Sequence, residues 1–534
     1  MARYKPYDAN QVSLVPVSFR EQILPGSFEY ALNEIVDEHI DMRVFEKRYK
    51  NDETGCLAYD PAILLKIVLF GYYKGMISSR RLAEACERNV QFKALTADSQ
   101  PHFTTIADFI ASMDKEIVGV FRDVLIYADA LGLIGKQTFA IDGCKLPSNA
   151  SKEWSGTHEE LKNKQQKYEA AAKKIVARHR HRDTKEKLSP IAAQDEKKLA
   201  TYKRKIDKIK TFLKSASKNI GPSGNERKSN ITDPHSAKMS TNHGVIQGYN
   251  GVAVVDEKHQ IVVKAQAHGE GQEAHLLQPM LDSTNKELKA AKISQDIFQQ
   301  AKVTADAGYH SNVSVSYTQE HGIDAYIADR NHRQRDPAFS DYDRYKRRSR
   351  QDKRRFYGTN ATRFKTKDFV YDETDRTCRC PAGNKLYRNG NNINVNGFIG
   401  VKFRGAKSVC GPCILRERCL KTPEKTETKQ VTIFTSRTDE TKDSPIEKMK
   451  RKFDTLFGRF IYNKRIAIVE PVFGNLKNKG MDRFTLRGKN KVNSQWQLFS
   501  LVHNIEKIAS VGGGVEERSR RKLPILTQCA MWHS

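Results

Sequence analysis

The sequence predicts an α/β protein preceded by an all-helical region, and three observations lead to this fold class. Apolar residues between positions 60 and 132 recur at helical spacing. From Gln137 onward the pattern changes to short apolar strands, which alternate with helical stretches as far as residue 329. Cysteines then cluster between Cys378 and Cys419 and predict a separate small module.

The composition of the chain narrows the classes of function. Its 534 residues include 92 Lys and Arg against 63 Asp and Glu, which gives a net charge of +29. Such an excess of cations favours a polyanionic partner, because each neutralised phosphate releases counterions. No apolar run approaches the roughly 20 residues that a membrane-spanning helix needs, and the N-terminal residues have no apolar signal region. We therefore expect a soluble protein of the reducing cytoplasm.

The first predicted domain spans residues 1–132 and is helical. Asp60 and Pro61 mark the start of one helix, because aspartate is a favoured N-cap and proline is favoured at the first helical position. Short helices joined by tight turns and rich in Arg and Lys are compatible with helix-turn-helix contact to DNA. The alternative is a helical scaffold that makes no such contact.

Residues 133–329 are expected to form the first part of an α/β core. The segments 138–142 and 302–306 are short apolar strands, and each ends in an aspartate. These residues are Asp142 and Asp306. An aspartate at a strand end is usually a cap or a turn residue, so each one alone is weak support for a site.

A helical hairpin is expected as an insertion in this core at about 155–220. Apolar residues there recur at three- and four-residue steps and give one narrow seam along otherwise basic helices. The bend between the two arms is expected at Ser189 and Pro190. After the insertion, strand signals resume in a predicted β-hairpin over residues 248–267.

A basic loop and a cysteine-rich insertion together occupy residues 330–440. A C-x-C and a C-x2-C motif brought together supply four thiolates, the number that tetrahedral zinc prefers. Such a zinc ion would be structural, because a four-thiolate site has no open position, and it would stabilise a module with little core of its own. Buried free thiols are the alternative interpretation. Four of five cysteines would be the ligands: Cys378, Cys380, Cys410, Cys413 and Cys419.

Cations and aromatic residues alternate in the basic loop between residues 342 and 357. This pattern is typical of nucleic-acid contact, but a solvated linker has a similar composition. A flexible basic tail is expected at residues 511–534, with three consecutive glycines near its start.

Residues 441–510 are expected to supply the final helices of the core. They contain a spaced motif of four residues: Tyr462-x2-Arg465-x4-Glu470-x6-Lys477. Pro471 directly follows Glu470, so we expect the helix to bend or restart at this point.

Three acids could together carry phosphodiester chemistry: Asp142, Asp306 and Glu470. Two Mg²⁺ ions about 3.5–4 Å apart activate the attacking oxygen and stabilise the leaving oxygen, and such hard cations require oxygen ligands. Arg465 and Lys477, on either side of Glu470, would hold DNA phosphates nearby. Other acids rank below this set: Asp233, Glu270 and Glu273.

The combination of these residues resembles the DDE transposases of bacterial insertion sequences. The resemblance is carried by the Tyr-Arg-Glu-Lys motif and by the segments 139–143, 248–250, 305–309 and 469–474. It extends through the helical N-terminal region and the cysteine module. The common form of the motif has three residues between Arg and Glu, whereas this chain has four, Ile466 to Val469.

The resemblance implies an RNase H-like mixed sheet that binds Mg²⁺, or Mn²⁺, through Asp142, Asp306 and Glu470. It also implies a set of DNA-contacting residues: Tyr462, Arg465, Lys477 and Tyr309. The implied activity is cleavage at transposon ends and strand transfer to target DNA, by a homodimer on double-stranded DNA in the bacterial nucleoid. Two alternatives stay open: a nuclease of the same fold without strand transfer, and a DNA-binding protein without catalysis.

Overall fold

The computed structural model describes residues 18–49, 57–180, 190–221, 224–241, 244–339, 363–395, 397–438 and 443–512. The chain divides into two compact units. The large unit comprises Met1–Tyr309, Glu320–Ala325 and Ile461–Ser534, and the small unit comprises His310–Gln319 and Tyr326–Phe460. The predicted α/β class with a helical N-terminal region is confirmed.

Helices form the N-terminal region of the large unit. They are α1 Phe28–Glu34, α2 Pro61–Tyr73, α3 Ser79–Arg88, α4 Val90–Thr96, α5 Phe103–Ser112 and α6 Glu116–Ala130. Helix α2 begins where the sequence predicts it, because the side chain of Asp60 accepts a hydrogen bond from the backbone N–H of Ala62 at 2.8 Å. Lys66 of this helix is buried, and its Nζ lies 2.6 Å from a carboxylate oxygen of Asp37. This ion pair compensates the burial of the charge.

A mixed sheet lies at the centre of the large unit. The strands of this region are β1 Thr138–Pro147, β2 Ser155–Gly156, β3 Ser229–Asn230, β4 Ala237–Thr241, β5 Gly244–Asp256, β6 Val262–His268, β7 Lys302–Ala305 and β8 Asp324–Ile327. The sheet has the order β4-β5-β1-β7-β8, and β6 also pairs with β5. Strand β1 is antiparallel to β5 and parallel to β7. The short strands β2 and β3 pair separately.

Two helices occupy the predicted insertion: α7 His158–Arg180 and α8 Pro190–Ser215. They are joined by a small core in which Leu161, Ile209 and Phe212 are buried. The rings of Tyr168 and Tyr202 stack across the pair with centroids 5.7 Å apart. Ser189, where the sequence predicts the bend, lies outside the described residues.

Five further helices are short or of medium length: α9 Leu277–Ala290, α10 Asn312–Glu320, α11 His332–Arg335, α12 Lys407–Cys410 and α13 Arg416–Cys419. Helix α14, Pro445–Asp454, follows them. The basic stretch of alternating cations and aromatics predicted between residues 342 and 357 lies outside the described residues, as does nearly all of the predicted tail.

The small unit contains an antiparallel sheet of its own. Its strands are β9 Val370–Asp372, β10 Thr377–Arg379, β11 Lys385–Val395, β12 Phe398–Arg404 and β13 Gln430–Arg437, in the order β13-β12-β11-β10-β9. A cluster of buried residues lies on this sheet: Phe369, Cys378, Leu386, Phe403 and Val431. The sequence predicts little core here, and the structure differs because residues far apart along the module meet across the sheet.

The last two helices belong wholly or mainly to the large unit: α15 Leu456–Asn478 and α16 Lys489–Gly512. Helix α15 continues through Pro471, so it does not restart there. Proline cannot donate the hydrogen bond to the carbonyl four residues earlier, which is that of Ala467. The side-chain amide of Gln260 donates to this carbonyl instead, at 2.9 Å.

Helix α16 is the common support of the helical region and the sheet. It packs against β6 and against α1, α2, α5 and α6. Its Trp496 donates a hydrogen bond to the carbonyl of Val252 in β5 at 3.0 Å, and Phe499 stacks on Tyr72 of α2 with centroids 4.6 Å apart. Every helix within the described ranges is too short or too polar to span a lipid bilayer.

Candidate active site

Two predicted acids lie side by side in the central sheet. Strands β1 and β7 are parallel, and Ile141 pairs with Ala305 at the end of their ladder. Asp306 directly follows the last residue of β7, as the sequence predicts. Asp142 does not end its strand, because β1 pairs with β5 as far as Pro147, so Asp142 lies within β1. Burial raises the pKa of Asp142, and the negative charge of Asp306 raises it further against the opposing effect of nearby Arg465. The pairing of the two strands therefore brings together acids that are 164 positions apart in the sequence.

Arg465 of helix α15 holds the carboxylate of Asp142. Its Nη1 donates to Oδ2 of Asp142 at 2.5 Å, and the other oxygen accepts from the backbone N–H of Gly143 at 2.8 Å. Tyr462, one helical turn earlier, lies beside the guanidinium, with 5.5 Å from Cζ to the ring centroid. Both side chains are mostly buried. Arg465 is therefore ion-paired with Asp142 in the structure.

Glu273 is the third acid at this place, although the sequence ranks it below Glu470. Its Oε1 accepts a hydrogen bond from Nδ2 of Asn250 at 3.0 Å and lies 3.8 Å from Nζ of Lys145. Burial raises the pKa of Glu273, and so do the charges of Asp306 and Asp142. The three carboxylates therefore interact with one another electrostatically.

The missing side chain of Gly308 leaves the space that the carboxylates of Glu273 and Asp306 occupy. A Cβ added at Gly308 would lie 2.2 Å from Oε2 of Glu273 and 3.0 Å from Oδ1 of Asp306. The same Asp306 oxygen accepts a hydrogen bond from the backbone N–H of Gly308 at 2.9 Å. The two carboxylates thus converge on a position where any larger residue would collide with them.

Tyr309 is fully buried beside the acids, and its hydroxyl has no hydrogen-bond partner among the described residues. Burial raises the pKa of this phenol well above its usual value, and the charges of Glu273, Asp142 and Asp306 raise it further. The sequence gives Tyr309 a contact to DNA, but this interior position turns it toward the carboxylates. Oδ1 of buried Asn250 also has no partner in the described part of the chain.

The donor set of the cluster fits a hard divalent cation. Several buried carboxylates in one place repel each other, and a cation with oxygen ligands would offset that repulsion. In the described residues, however, no three His, Cys, Asp or Glu side chains are already placed to hold one metal ion. Asp142 is instead paired with Arg465, and Glu273 with Asn250.

Glu470 and Lys477 lie on the exposed face of helix α15. Glu470 is not among the main charges that shift the pKa of Asp142 or Glu273. Lys477 acts electrostatically on the thiol of Cys144, whose pKa burial raises to about 12. The structure thus brings Asp142 and Asp306 together and leaves Glu470 facing solvent.

The other candidate acids have different surroundings. Asp233 is buried and accepts hydrogen bonds from the hydroxyl of Tyr249 at 2.7 Å and from the backbone N–H of Gly488 at 3.3 Å. It is therefore a structural residue that joins β5 to the segment before α16. Glu270 lines an open groove of about 1050 Å³ in which lysine and arginine outnumber the acids. The cations of this groove are Lys145, Arg227, Lys228, Lys238 and Lys489.

Four of the five clustered cysteines line one small cavity in the small unit. This cavity has a volume of about 30 Å³, and its cysteines are Cys380, Cys410, Cys413 and Cys419. Burial raises the pKa of Cys419, and the other three thiols raise it further against the effect of Lys429. Cys378 does not line this cavity and is fully buried in the core of the sheet. Among the described residues, no three of these cysteines are already close enough together to hold one metal ion.

Two family models match the chain. Residues 379–509 match the family described as the transposase DDE domain, and residues 17–112 match the family described as a transposase domain, DUF772. The first match contains the four-cysteine cavity and most of the last two helices, and the second contains helices α1 to α5. A comparison with curated proteins found no match.

Proposed function

We propose that this chain is a DDE transposase that cuts DNA at the ends of an insertion sequence and joins those ends to target DNA, because residues 17–112 and 379–509 match two transposase families. The observation that carries this proposal is the pairing of β1 with β7, which sets Asp142 beside Asp306. The sheet order β6-β5-β1-β7-β8, with β1 antiparallel to β5 and parallel to β7, supports an RNase H-like core.

In this proposal Asp142 and Asp306 hold Mg²⁺ or Mn²⁺, and Glu470 approaches from helix α15. The bound metal would activate the attacking oxygen and stabilise the leaving oxygen of the phosphodiester. Arg465 orients the carboxylate of Asp142, to which it donates a hydrogen bond at 2.5 Å. The buried positions of Tyr309 and Asn250 exclude bulk water from the inner side of the acids.

DNA would bind along the cationic groove beside the acids. Lys145 lines this groove and also lies 3.8 Å from Glu273, so the groove begins at the carboxylate cluster. The four lysines and one arginine of the groove are suited to phosphates, and phosphate contacts position a duplex without reading its sequence. Lys477 is exposed on α15 and would supply a further phosphate contact. We assign end recognition to the N-terminal helices, and we expect a homodimer because strand transfer requires two ends to be held together.

Zinc is proposed as the structural metal of the small unit. Thiolates are preferred zinc ligands, and Cys380, Cys410, Cys413 and Cys419 supply the four that a closed tetrahedral site requires. The sulfurs would have to move closer around the ion. The shared cavity supports these four ligands and leaves Cys378 to the core of the sheet.

The test is a cleavage and strand-transfer assay with the purified full chain. Its substrate is labelled duplex DNA taken from each flank of the coding sequence, with Mg²⁺ present. Asp306→Asn keeps the shape of the side chain but removes a metal-binding charge. We expect it to lower cleavage and joining on the order of 100-fold or more, because metal stabilisation of the transition state is worth several kcal/mol.

Asp207→Asn is the matched control, because Asp207 is an exposed residue of α8. Equal activity of the parent, Asp207→Asn and Asp306→Asn would contradict the site. Cleavage without joining by the parent would indicate a nuclease, and tight binding of end DNA without cleavage would indicate a DNA-binding protein.

A further inference from the structure

Glu273, an acid that the spacing of the sequence does not select, lies beside Asp306 in the described structure. Oε2 of Glu273 and Oδ1 of Asp306 both converge on the space over Gly308. Glu273 follows β6, and Asp306 follows β7, so both are set by the central sheet. Glu470, in contrast, is exposed on helix α15.

The side chain of Glu273 is held in place from one side only. Asn250 donates to Oε1 at 3.0 Å, and Lys145 lies 3.8 Å from the same oxygen. Asn250 and Lys145 face each other across the β5–β1 ladder, so the two contacts have a common rigid base. This anchoring leaves Oε2 directed toward Asp306.

Two buried polar atoms at the same place have no partner within the described chain: Oη of Tyr309 and Oδ1 of Asn250. Both residues are completely buried. Unpartnered polar atoms inside a protein cost free energy and call for a missing water or ion. Mg²⁺ usually keeps several of its waters, and such waters would supply hydrogen bonds to both atoms.

We propose that Glu273 is a metal ligand of this centre, in addition to Glu470, and that it binds the divalent cation together with Asp142 and Asp306 before DNA arrives. This inference rests on the proposed function, because it concerns the same metal. No three acids of the described residues are already placed to hold one cation, so the three side chains would have to close around it. For Glu273 this closure needs no movement of α15. Metal affinity in the absence of DNA therefore depends on Glu273 more than on Glu470.

The experiment measures Mn²⁺ binding to the full chain without DNA, by electron paramagnetic resonance of the free ion and by calorimetry. Glu273→Gln is expected to weaken Mn²⁺ binding roughly tenfold or more, since even outer residues of a metal site contribute this much. Glu159→Gln makes the same substitution at an exposed residue of α7 and is expected to bind Mn²⁺ as the parent does. Glu470→Gln is expected to stay within about threefold of the parent.

Unchanged Mn²⁺ affinity in Glu273→Gln would overturn the proposal, and so would a parent chain with no saturable Mn²⁺ binding. If Glu273→Gln fails to fold, Glu273→Asp replaces it, because it keeps the charge and withdraws the carboxylate; unaltered binding would again overturn the proposal. Cleavage of end DNA by the parent is measured separately. Failure of that assay counts against the transposase, whereas the Mn²⁺ titration alone decides the role of Glu273.

Discussion

At the scale of single residues, Gly308 sets how closely the carboxylates can approach. A methyl group there would lie 2.2 Å from Oε2 of Glu273 and must displace it. Gly308→Ala is therefore expected to lower DNA cleavage roughly 100-fold, which is what a misplacement of about 1 Å in an active site can cost. The measurement is the rate of end cleavage at saturating Mg²⁺.

Gly474→Ala is the control for this change. Gly474 lies in helix α15, and an added Cβ there would meet nothing within 4 Å. Its cleavage rate is expected to match that of the parent, with a small gain in helix stability. If Gly308→Ala cleaves as fast as Gly474→Ala, the acids do not need the arrangement seen in the structure.

Some residues of the site can be predicted from the sequence, and others cannot. Asp142 and Asp306 are predictable as acids that follow short apolar segments, although β1 continues past Asp142 because it pairs with β5 as far as Pro147. Glu273 is not, because its position depends on a hydrogen bond to Asn250 and therefore on the register of β5. Glu470 and Arg465 point to different sides of helix α15. Glu470 is five residues after Arg465, and five residues rotate a helix by about 500°, which is about 140° past a full turn.

At the scale of elements, the four-cysteine cavity makes the small unit a testable zinc module. We expect about one zinc ion per purified chain, because four thiolates complete one tetrahedral site. Cys413→Ser removes one of the thiolates around the cavity and is expected to lower the zinc content severalfold and the melting temperature of the small unit. Zinc is measured by mass spectrometry and by release to a chromogenic chelator.

Cys378→Ala serves as the matched control for the zinc module. Its sulfur is buried with Phe403 and Leu386 in the core of the sheet, so this variant is expected to lose some stability but to keep its zinc. Equal zinc content in Cys413→Ser and the parent would rule out the proposed ligand set.

Where the structure of an element differs from the prediction, the reason is a contact between residues that are far apart in the sequence. Pro471 predicts a break in α15, but Gln260, more than 200 positions earlier, supplies the missing hydrogen bond to Ala467. The sheet of the small unit was expected to have little core, yet its strands bury Phe369 against residues such as Val431. Helix starts such as that at Asp60 are predictable because their signals are local.

At the scale of the whole molecule, one unit contains the elements of the proposed reaction. The large unit includes both aspartates, Glu273, the cationic groove and the N-terminal helices. The net charge of +29 agrees with a substrate rich in phosphates. Helix α16 packs on both the helical region and the sheet, so end recognition and cleavage would share a rigid support.

The central claim is that a divalent metal held by Asp142 and Asp306 cuts and joins DNA, and a change of metal preference tests it most directly. Asp306→Cys replaces a hard oxygen ligand with a soft thiolate, which Mg²⁺ binds poorly and Mn²⁺ tolerates better. The measurement compares end cleavage and joining in Mg²⁺ and in Mn²⁺. We expect the variant to be inactive in Mg²⁺ and to regain activity in Mn²⁺, while the parent works in both. Parental activity of Asp306→Cys in Mg²⁺ would contradict the claim.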